Sequence, residues 1–281
     1  MGIKIIVDST ADMRPEVAAK VGIVPLSVQF GEKTYISGVD ITAQQFYQML
    51  AESEALPTTS QPAPFLFEEA FEQAVSEGHE VICLTCSGKL SGTHQSANIA
   101  AAEFDGKVHV LDSNTIALGL GILAEYAVDL AEQGLDPETI LEKLTEKREK
   151  VRLLALVDTL EYLKKGGRIS SAVALAGGLL NIKPVISVND GEIKLLGKAR
   201  GARQGTNLLN QEIEKAGSMD FSMPVMLGYT GTRDDQLQKY IQDSGDLWAD
   251  YGETLPVSVV GSVVGTHAGP GAVAVGFFAA E

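Results

Sequence analysis

The alternation of strand-like and helix-like segments over the first 150 residues is the feature that most constrains the fold. Short apolar runs at 3–8, 80–84 and 107–111 are each followed by a longer segment with helical character. Strands that alternate with helices favour a largely parallel sheet, because each helix returns the chain to the same edge. We therefore predict an α/β domain with a mainly parallel sheet over residues 1–155.

The second half of the chain has a different pattern. The hairpin dipeptide Asp190-Gly191 separates apolar segments at 182–189 and 192–199, so these segments should pair antiparallel. Further strands are expected at 224–229, 255–260 and 270–278, with helices at 204–217 and 232–243. The prediction is an α+β domain with a mainly antiparallel sheet over residues 156–281, which makes the whole chain an α/β protein of two domains.

Two local predictions concern segments that flank the first helices. Residues 23–30 are expected to form one strand. Residues 56–64 contain three prolines and three hydroxyl residues, a composition that predicts a loop.

Charge is distributed unevenly along the chain. The net charge of −15 argues against nucleic acid as a partner. Residues 164–203, however, contain eight basic and two acidic residues. A local basic region in an acidic protein indicates an anionic ligand or an acidic partner surface; the alternative is a solvated face without a specific role.

Targeting and membrane signals are missing from the sequence. No apolar run approaches the roughly 18–20 residues that cross a bilayer, and Asp8 interrupts the first apolar run too early for a signal peptide. We predict a cytoplasmic protein with no stable membrane insertion and at most transient membrane contact. Cys83 and Cys86 have no second pair to complete a zinc site, so they are interpreted as buried structural thiols and no metal is predicted.

Three segments are rich in residues that folding alone explains poorly. They are Pro57–Pro62, Ser87–Ser96 and Gly265–Gly271. The second runs from a predicted strand into a predicted helix, where backbone N–H groups and the helix dipole favour an anion. Ser91-Gly92-Thr93 therefore offers hydroxyl and amide donors to an anion, although Ser91 or Thr93 could instead be the N-cap of the helix.

A serine esterase or hydrolase that uses Ser91 is the alternative from a different functional class. His94 or His267 could act as the base, oriented by Asp8 or Asp112. The nucleophile elbow requires Gly-x-Ser-x-Gly, whereas the local sequence is Gly-Lys-Leu-Ser-Gly. The same segment also lacks the first glycine of a P-loop.

Five motifs, which follow one another along the whole chain, resemble the signature of the DegV family, a family of bacterial fatty-acid-binding proteins. The motifs are Val7-Asp8-Ser9-Thr10-Ala11-Asp12, Thr58-Thr59-Ser60-Gln61-Pro62, Lys89-Leu90-Ser91-Gly92-Thr93, Leu163-Lys164-Lys165-Gly166-Gly167-Arg168-Ile169-Ser170 and Thr266-His267-x-Gly269-Pro270-Gly271. The resemblance implies two domains with a long-chain fatty acid such as palmitate buried between them, and no other cofactor. It implies a lipid carrier rather than an enzyme.

The resemblance also implies roles for individual residues. Thr59, Ser91 and His267 match the residues that bind the fatty acid carboxylate. Additional ligand contacts are expected from Ser60, Gly92, Thr93, Thr266 and Arg168. Some members present the bound acid to a separate fatty acid kinase, which forms an acyl phosphate for phospholipid synthesis, and Arg200 and Arg203 are the expected docking residues.

Two expectations concern the bound state. Burying a carboxylate without a cation is costly, so we expect His267 to carry or share a proton with it. The Ala- and Gly-rich segment 171–180 is predicted to be a helix that either leaves room for the acyl chain or packs closely on a sheet.

Overall fold

The first sheet is parallel and four-stranded. The computed structural model describes residues 2–170, 181–252 and 254–280. The strand order of the sheet is β2-β1-β6-β7, and its strands are β1 (Gly2–Asp8), β2 (Gly22–Val24), β6 (His79–Thr85) and β7 (Val108–Asp112). The central strands β1 and β6 are almost wholly buried along their second halves, as expected for a parallel sheet covered on both faces.

Helices connect these strands, as the sequence predicts. They are α1 (Pro15–Ala18), α2 (Ala43–Glu52), α3 (Pro64–Ser76), α4 (Thr93–Ala101), α5 (Ala117–Glu132) and α6 (Pro137–Arg148). Helix α2 begins with a capping box between Thr42 and Gln45, and α6 begins at Pro137 with Asp136 accepting a hydrogen bond from the amide of Thr139.

The second sheet is six-stranded and mostly antiparallel. Its order is β10-β9-β8-β13-β11-β12, with only β11 and β12 parallel to each other. The strands are β8 (Val151–Leu156), β9 (Ile182–Asn189), β10 (Glu192–Arg200), β11 (Met226–Tyr229), β12 (Val257–Val259) and β13 (Val273–Phe278). The predicted fold class, with one mainly parallel and one mainly antiparallel sheet, is confirmed.

The helices of the second half are short except for one. They are α7 (Glu161–Lys165), α8 (Ala202–Lys215), α9 (Asp235–Asp243) and α10 (Ser262–Ala268), with a 3-10 turn at Gly245–Trp248. Residues 171–180, for which a helix was predicted, lie outside the described residues. Within the described part of the chain, no helix is long and apolar enough to cross a membrane.

Helix α5 joins the two larger sheets into one core. Twelve of its residues are buried, because it packs on β1 and β6 on one side and on β8, β11 and β13 on the other. A Cβ atom at Gly228 or Gly276 would lie 2.9 Å from a side-chain carbon of Leu118. Glycine at these two strand positions therefore allows α5 to approach the second sheet closely.

A third, small sheet corrects two predictions. It has the order β4-β3-β5, with β3 at Ser27–Phe30, β4 at Lys33–Ile36 and β5 at Thr58–Ser60. The prediction of a single strand at 23–30 is wrong. The chain leaves the first sheet after Val24 and enters the third sheet at Ser27, so two strands form there. The loop predicted at 56–64 contains β5, which pairs antiparallel with the free edge of β3. The proposed domain boundary at 155/156 stays a prediction, and β8 already belongs to the second sheet.

Candidate functional site

A cavity of about 380 Å³ lies where the loops after β1, β6 and β7 meet the second sheet and α10. The carboxyl ends of parallel strands are the usual position for ligands in α/β sheets, and the volume falls within the ~300–1,000 Å³ of small-molecule sites. Most of the walls are aliphatic; they include Leu26, Ile116, Ala117, Leu153, Ala155, Val157, Ile186, Val188, Val263, Val264, Ala272 and Ala274. An apolar molecule is the kind of ligand that such walls favour.

Thr59 and His267 meet at the polar part of this cavity. Thr59 lies in the middle of β5, and His267 lies in the last turn of α10. The Oγ1 atom of Thr59 is 2.9 Å from Nε2 of His267. The two residues are 208 positions apart in sequence, so the pair forms only when β5 and α10 pack together.

The imidazole of His267 is neutral at pH 7. Burial, and secondarily the positive charge of Arg168, lower its pKa to about 4. If the proton lies on Nε2, the ring donates to Thr59 and leaves the hydroxyl hydrogen of Thr59 free for a ligand. Nδ1 is buried and has no hydrogen-bond partner among the described residues.

Ser91 reaches the same cavity from the loop between β6 and α4. Its Oγ lies 2.8 Å from Oγ1 of Thr93 and accepts a hydrogen bond from the Thr93 amide at 3.3 Å. Gly92 occupies the N-cap position of α4, so neither Ser91 nor Thr93 is the N-cap residue itself, although the Ser91 hydroxyl accepts from the first amide of the helix. The Ser91 hydroxyl therefore lies on the cavity wall with its position fixed by Thr93.

Gln61 links the segment that carries Thr59 to the segment that carries Ser91. Its Nε2 donates to the carbonyl oxygen of Gly92 at 3.2 Å and to Oγ of Ser96 at 3.0 Å. A Cβ atom at Gly92 would lie 2.1 Å from Oε1 of Gln61, so a larger residue there would displace the Gln61 amide. The sequence does not predict a role for Gln61; the signal for it is its place in the Thr-Ser-Gln-Pro motif.

Arg168 is the basic residue on the cavity lining. Its Nε donates to the carbonyl oxygen of Leu90 at 3.2 Å, and its Nη1 donates to that of Gly166 at 2.6 Å. The guanidinium thus holds the loop that carries Ser91 while it places a positive charge near His267.

Asp8 organises the loops at the ends of β1 and β6. Its buried carboxylate accepts hydrogen bonds from the backbone and hydroxyl of Thr10, at 2.9 and 2.6 Å, and from the amide of Cys86 at 2.6 Å. Burial raises the pKa of Asp8 despite these bonds. Cys86 and Thr10 both line the cavity, so Asp8 supports the cavity wall from behind.

The other residues predicted to contact the ligand or a partner lie partly on the cavity lining and partly outside it. Ser60 and Gly92 line the cavity, whereas Thr93 and Thr266 do not. Thr266 donates to the carbonyl oxygen of Ser262 within α10, at 2.9 Å. Arg200 and Arg203 are exposed, outside the cavity, at the end of β10 and the start of α8.

The geometry does not assemble the residues that the hydrolase alternative requires. His94 is hydrogen-bonded to Thr85 at 3.0 Å and to Asn98 at 2.9 Å, and His267 is bonded to Thr59. Asp112 accepts hydrogen bonds from the amides of Gly88 and Asn114. Within residues 2–170, 181–252 and 254–280, Ser91 has no histidine partner, and no cluster of three or more His, Cys, Asp or Glu residues could hold a metal ion.

Comparison with known proteins gives a consistent result over the whole chain. The sequence model described as "Uncharacterised protein, DegV family" matches residues 2–280. A DegV domain-containing protein of Deinococcus radiodurans is 38% identical over 278 residues, which are 98% of each protein.

Two solved structures share the fold over the full length of both chains. A DegV family protein from Thermus thermophilus, described by its fatty acid binding, has a TM-score of 0.88 at 33% identity. The Fatty Acid Kinase (Fak) B3 protein of Streptococcus pneumoniae, which was solved loaded with linoleic acid, has a TM-score of 0.86 at 26% identity. With a family match over residues 2–280 and a relative at 38% identity, this chain belongs to the DegV family.

Proposed function

We propose that this protein binds one long-chain fatty acid, with the acyl chain in the aliphatic cavity and the carboxylate between Thr59, Ser91 and His267. One observation carries the proposal: a cavity of about 380 Å³ with aliphatic walls contains hydroxyls from two loops beside a buried histidine. The fatty acids described for the Thermus thermophilus and Streptococcus pneumoniae structures support it.

The acyl chain supplies the affinity in this proposal. A sixteen-carbon acid has about 14 methylenes, and burying each contributes roughly 0.8 kcal/mol, or about 11 kcal/mol in total. Association costs of about 4–15 kcal/mol offset much of this gain. The head-group contacts then fix the orientation of the ligand in the cavity rather than providing most of the binding energy.

The carboxylate is held by neutral donors close to one cation. Thr59 and Ser91 each have a hydroxyl that can donate, and Arg168 supplies the positive charge near them. The negative charge of the ligand opposes the effects of burial and of Arg168 on His267, so binding should raise the pKa of the imidazole from about 4. We therefore expect the protein to take up a proton when the fatty acid binds, and the carboxylate and His267 to share that proton.

The protein is proposed to be a carrier that presents the fatty acid to a kinase. The resemblance to the Fak B3 protein supports this role, and the exposed Arg200 and Arg203 provide a basic surface for an acidic partner. In this role the chain contributes the bound acid, and the partner contributes the nucleotide site and the chemical step.

Native mass spectrometry of the purified protein tests the proposal. We expect a co-purified mass that corresponds to one long-chain fatty acid per chain, and we expect the Ser91→Ala variant to retain less of it. The exposed Ser76 provides a matched control, because Ser76→Ala removes a hydroxyl far from the cavity lining. Failure of delipidated protein to take up palmitate would refute the proposal, and ester hydrolysis lost in Ser91→Ala would favour the hydrolase instead.

A further inference from the structure

The carboxylate of Asp12 is buried outside the cavity lining, next to the start of α10. Asp12 is 7% exposed. Its Oδ1 accepts a hydrogen bond from the Gly261 amide at 2.8 Å, whereas Oδ2 is buried and has no partner among the described residues. A buried polar atom without a partner is unusual enough to require an explanation.

The position of Asp12 connects the first sheet to the helix that carries His267. Asp12 follows β1, and Gly261 immediately precedes α10. The hydrogen bond joins positions 249 residues apart, and a side chain at Gly121 of α5 would lie 1.8 Å from the Asp12 carbonyl oxygen. Asp12 is thus held tightly between α5 and the start of α10.

The charge of Asp12 is not neutralised by its neighbours. Arg14, two residues along the chain, forms an ion pair with Glu125 on α5 instead. From α2, Tyr47 faces the same region, and its hydroxyl donates to the Val260 carbonyl oxygen at 3.0 Å. Burial, and secondarily the charge of Asp12, raise the pKa of Tyr47. Within the described residues Asp12 therefore has a titratable but uncharged neighbour and no salt bridge.

We propose that Asp12 is a positioning residue that holds α10, and with it His267, against the first sheet, and that its protonation adjusts the affinity for an anionic ligand. This inference rests on the proposed fatty acid site. The Oδ1 atom accepts the Gly261 amide in both protonation states, so a proton on Oδ2 removes charge without breaking the contact. Burial without an opposing cation raises the pKa of Asp12 to about 7, so this change of charge occurs near neutral pH.

The expected size of the effect follows from the length of α10. Gly261, which is bonded to Asp12, lies six positions before His267, which corresponds to about 9 Å along a helix. Two like charges at about that distance repel each other enough to change affinity roughly twentyfold at an effective dielectric constant of about 20, and roughly twofold at that of water. Binding of the carboxylate should therefore be tighter when Asp12 is protonated.

The decisive experiment compares palmitate affinity at pH 6 and pH 8.5 in the wild-type protein and in Asp12→Asn. We expect wild-type affinity to weaken roughly twofold to twentyfold more than that of Asp12→Asn over this range, since titration of palmitate itself affects both proteins equally. The exposed Asp250 provides the control Asp250→Asn, which should keep the wild-type profile. Identical profiles for wild type and Asp12→Asn would overturn the inference.

A second measurement needs no ligand. The chemical shift of the Gly261 amide proton in NMR spectra should titrate with a midpoint near neutral pH in the wild-type protein and should be independent of pH in Asp12→Asn. A Gly261 shift that does not titrate between pH 5.5 and 8.5 would overturn the inference. If the shift titrates but palmitate does not bind at any pH, the proposed function fails while the protonation of Asp12 stands.

Discussion

Removal of the Thr59 hydroxyl tests the head-group site most directly. In Thr59→Val the side chain keeps its branched shape, which suits its place in β5, but the donor to the carboxylate is lost. A hydrogen bond to a charged group contributes about 1.5–3 kcal/mol. At about 1.4 kcal/mol for each factor of ten, palmitate should bind roughly 10- to 150-fold more weakly.

The variant should also lose stability, because the Thr59 hydroxyl has a partner within the protein. Its hydroxyl is also the partner of His267 Nε2, at 2.9 Å, and Nδ1 of the same ring already has no partner among the described residues. The variant therefore leaves a buried imidazole without hydrogen bonds in its ligand-free state, which costs about 1–3 kcal/mol of stability. Thermal unfolding of the ligand-free variant measures this cost separately.

The neighbouring residue Thr58 provides a matched control. It lies in the same short strand, is exposed and does not line the cavity. Calorimetric titration of delipidated protein with palmitate should show a large loss for Thr59→Val and wild-type affinity for Thr58→Val. Affinity of Thr59→Val within twofold of wild type, or an equal loss in both variants, would refute the assignment of Thr59 to the carboxylate.

Three further predictions concern the loop, the docking surface and pH. Gly92→Ala should weaken palmitate binding, measured by displacement of a fluorescent fatty acid, because the new methyl group would overlap Gln61; wild-type affinity would contradict this. Arg200→Glu should abolish acyl phosphate formation with a cognate fatty acid kinase but leave palmitate affinity unchanged. The control Arg233→Glu, at another exposed site, should change neither acyl phosphate formation nor palmitate affinity. The pKa of His267 falls from 6.5 to about 4 in the folded protein, so between these pH values the unfolded chain binds more protons than the folded one. The free energy of unfolding should therefore decrease by up to about 3 kcal/mol as pH falls from 6.5 to 4. Urea unfolding of His267→Gln should show a smaller decrease, and an equal decrease would contradict the assignment.

Features set by local sequence were predictable. The strands β1 and β6 are short apolar runs with adjacent helices, and Asp190-Gly191 joins β9 to β10 as a hairpin, with Asp190 and Gly191 both at positive φ. These signals lie within ten residues of the structure that they specify. Local propensity and the hydrophobic pattern are therefore sufficient for them.

Features that depend on distant partners were not predictable from the same signals. The prolines around Thr59 indicated a loop, but β3 offers an edge that pairs with β5. Residues 262–268 form a helix although glycine is a poor helix former, and Gly265 lets this helix pack closely against Tyr47. The contact between Asp12 and Gly261 has no local signal, since neither residue type specifies the other.

The long sequence separation between Thr59 and His267 has a consequence for how the protein is made. Domains form progressively as the chain leaves the ribosome, with N-terminal segments first. The hydroxyl segments at 59 and 91 emerge long before residues 262–268, which complete the polar end of the cavity. A nascent chain that has folded its first sheet should therefore be unable to retain an acyl chain, and lipid loading should be confined to chains in which α10 has docked.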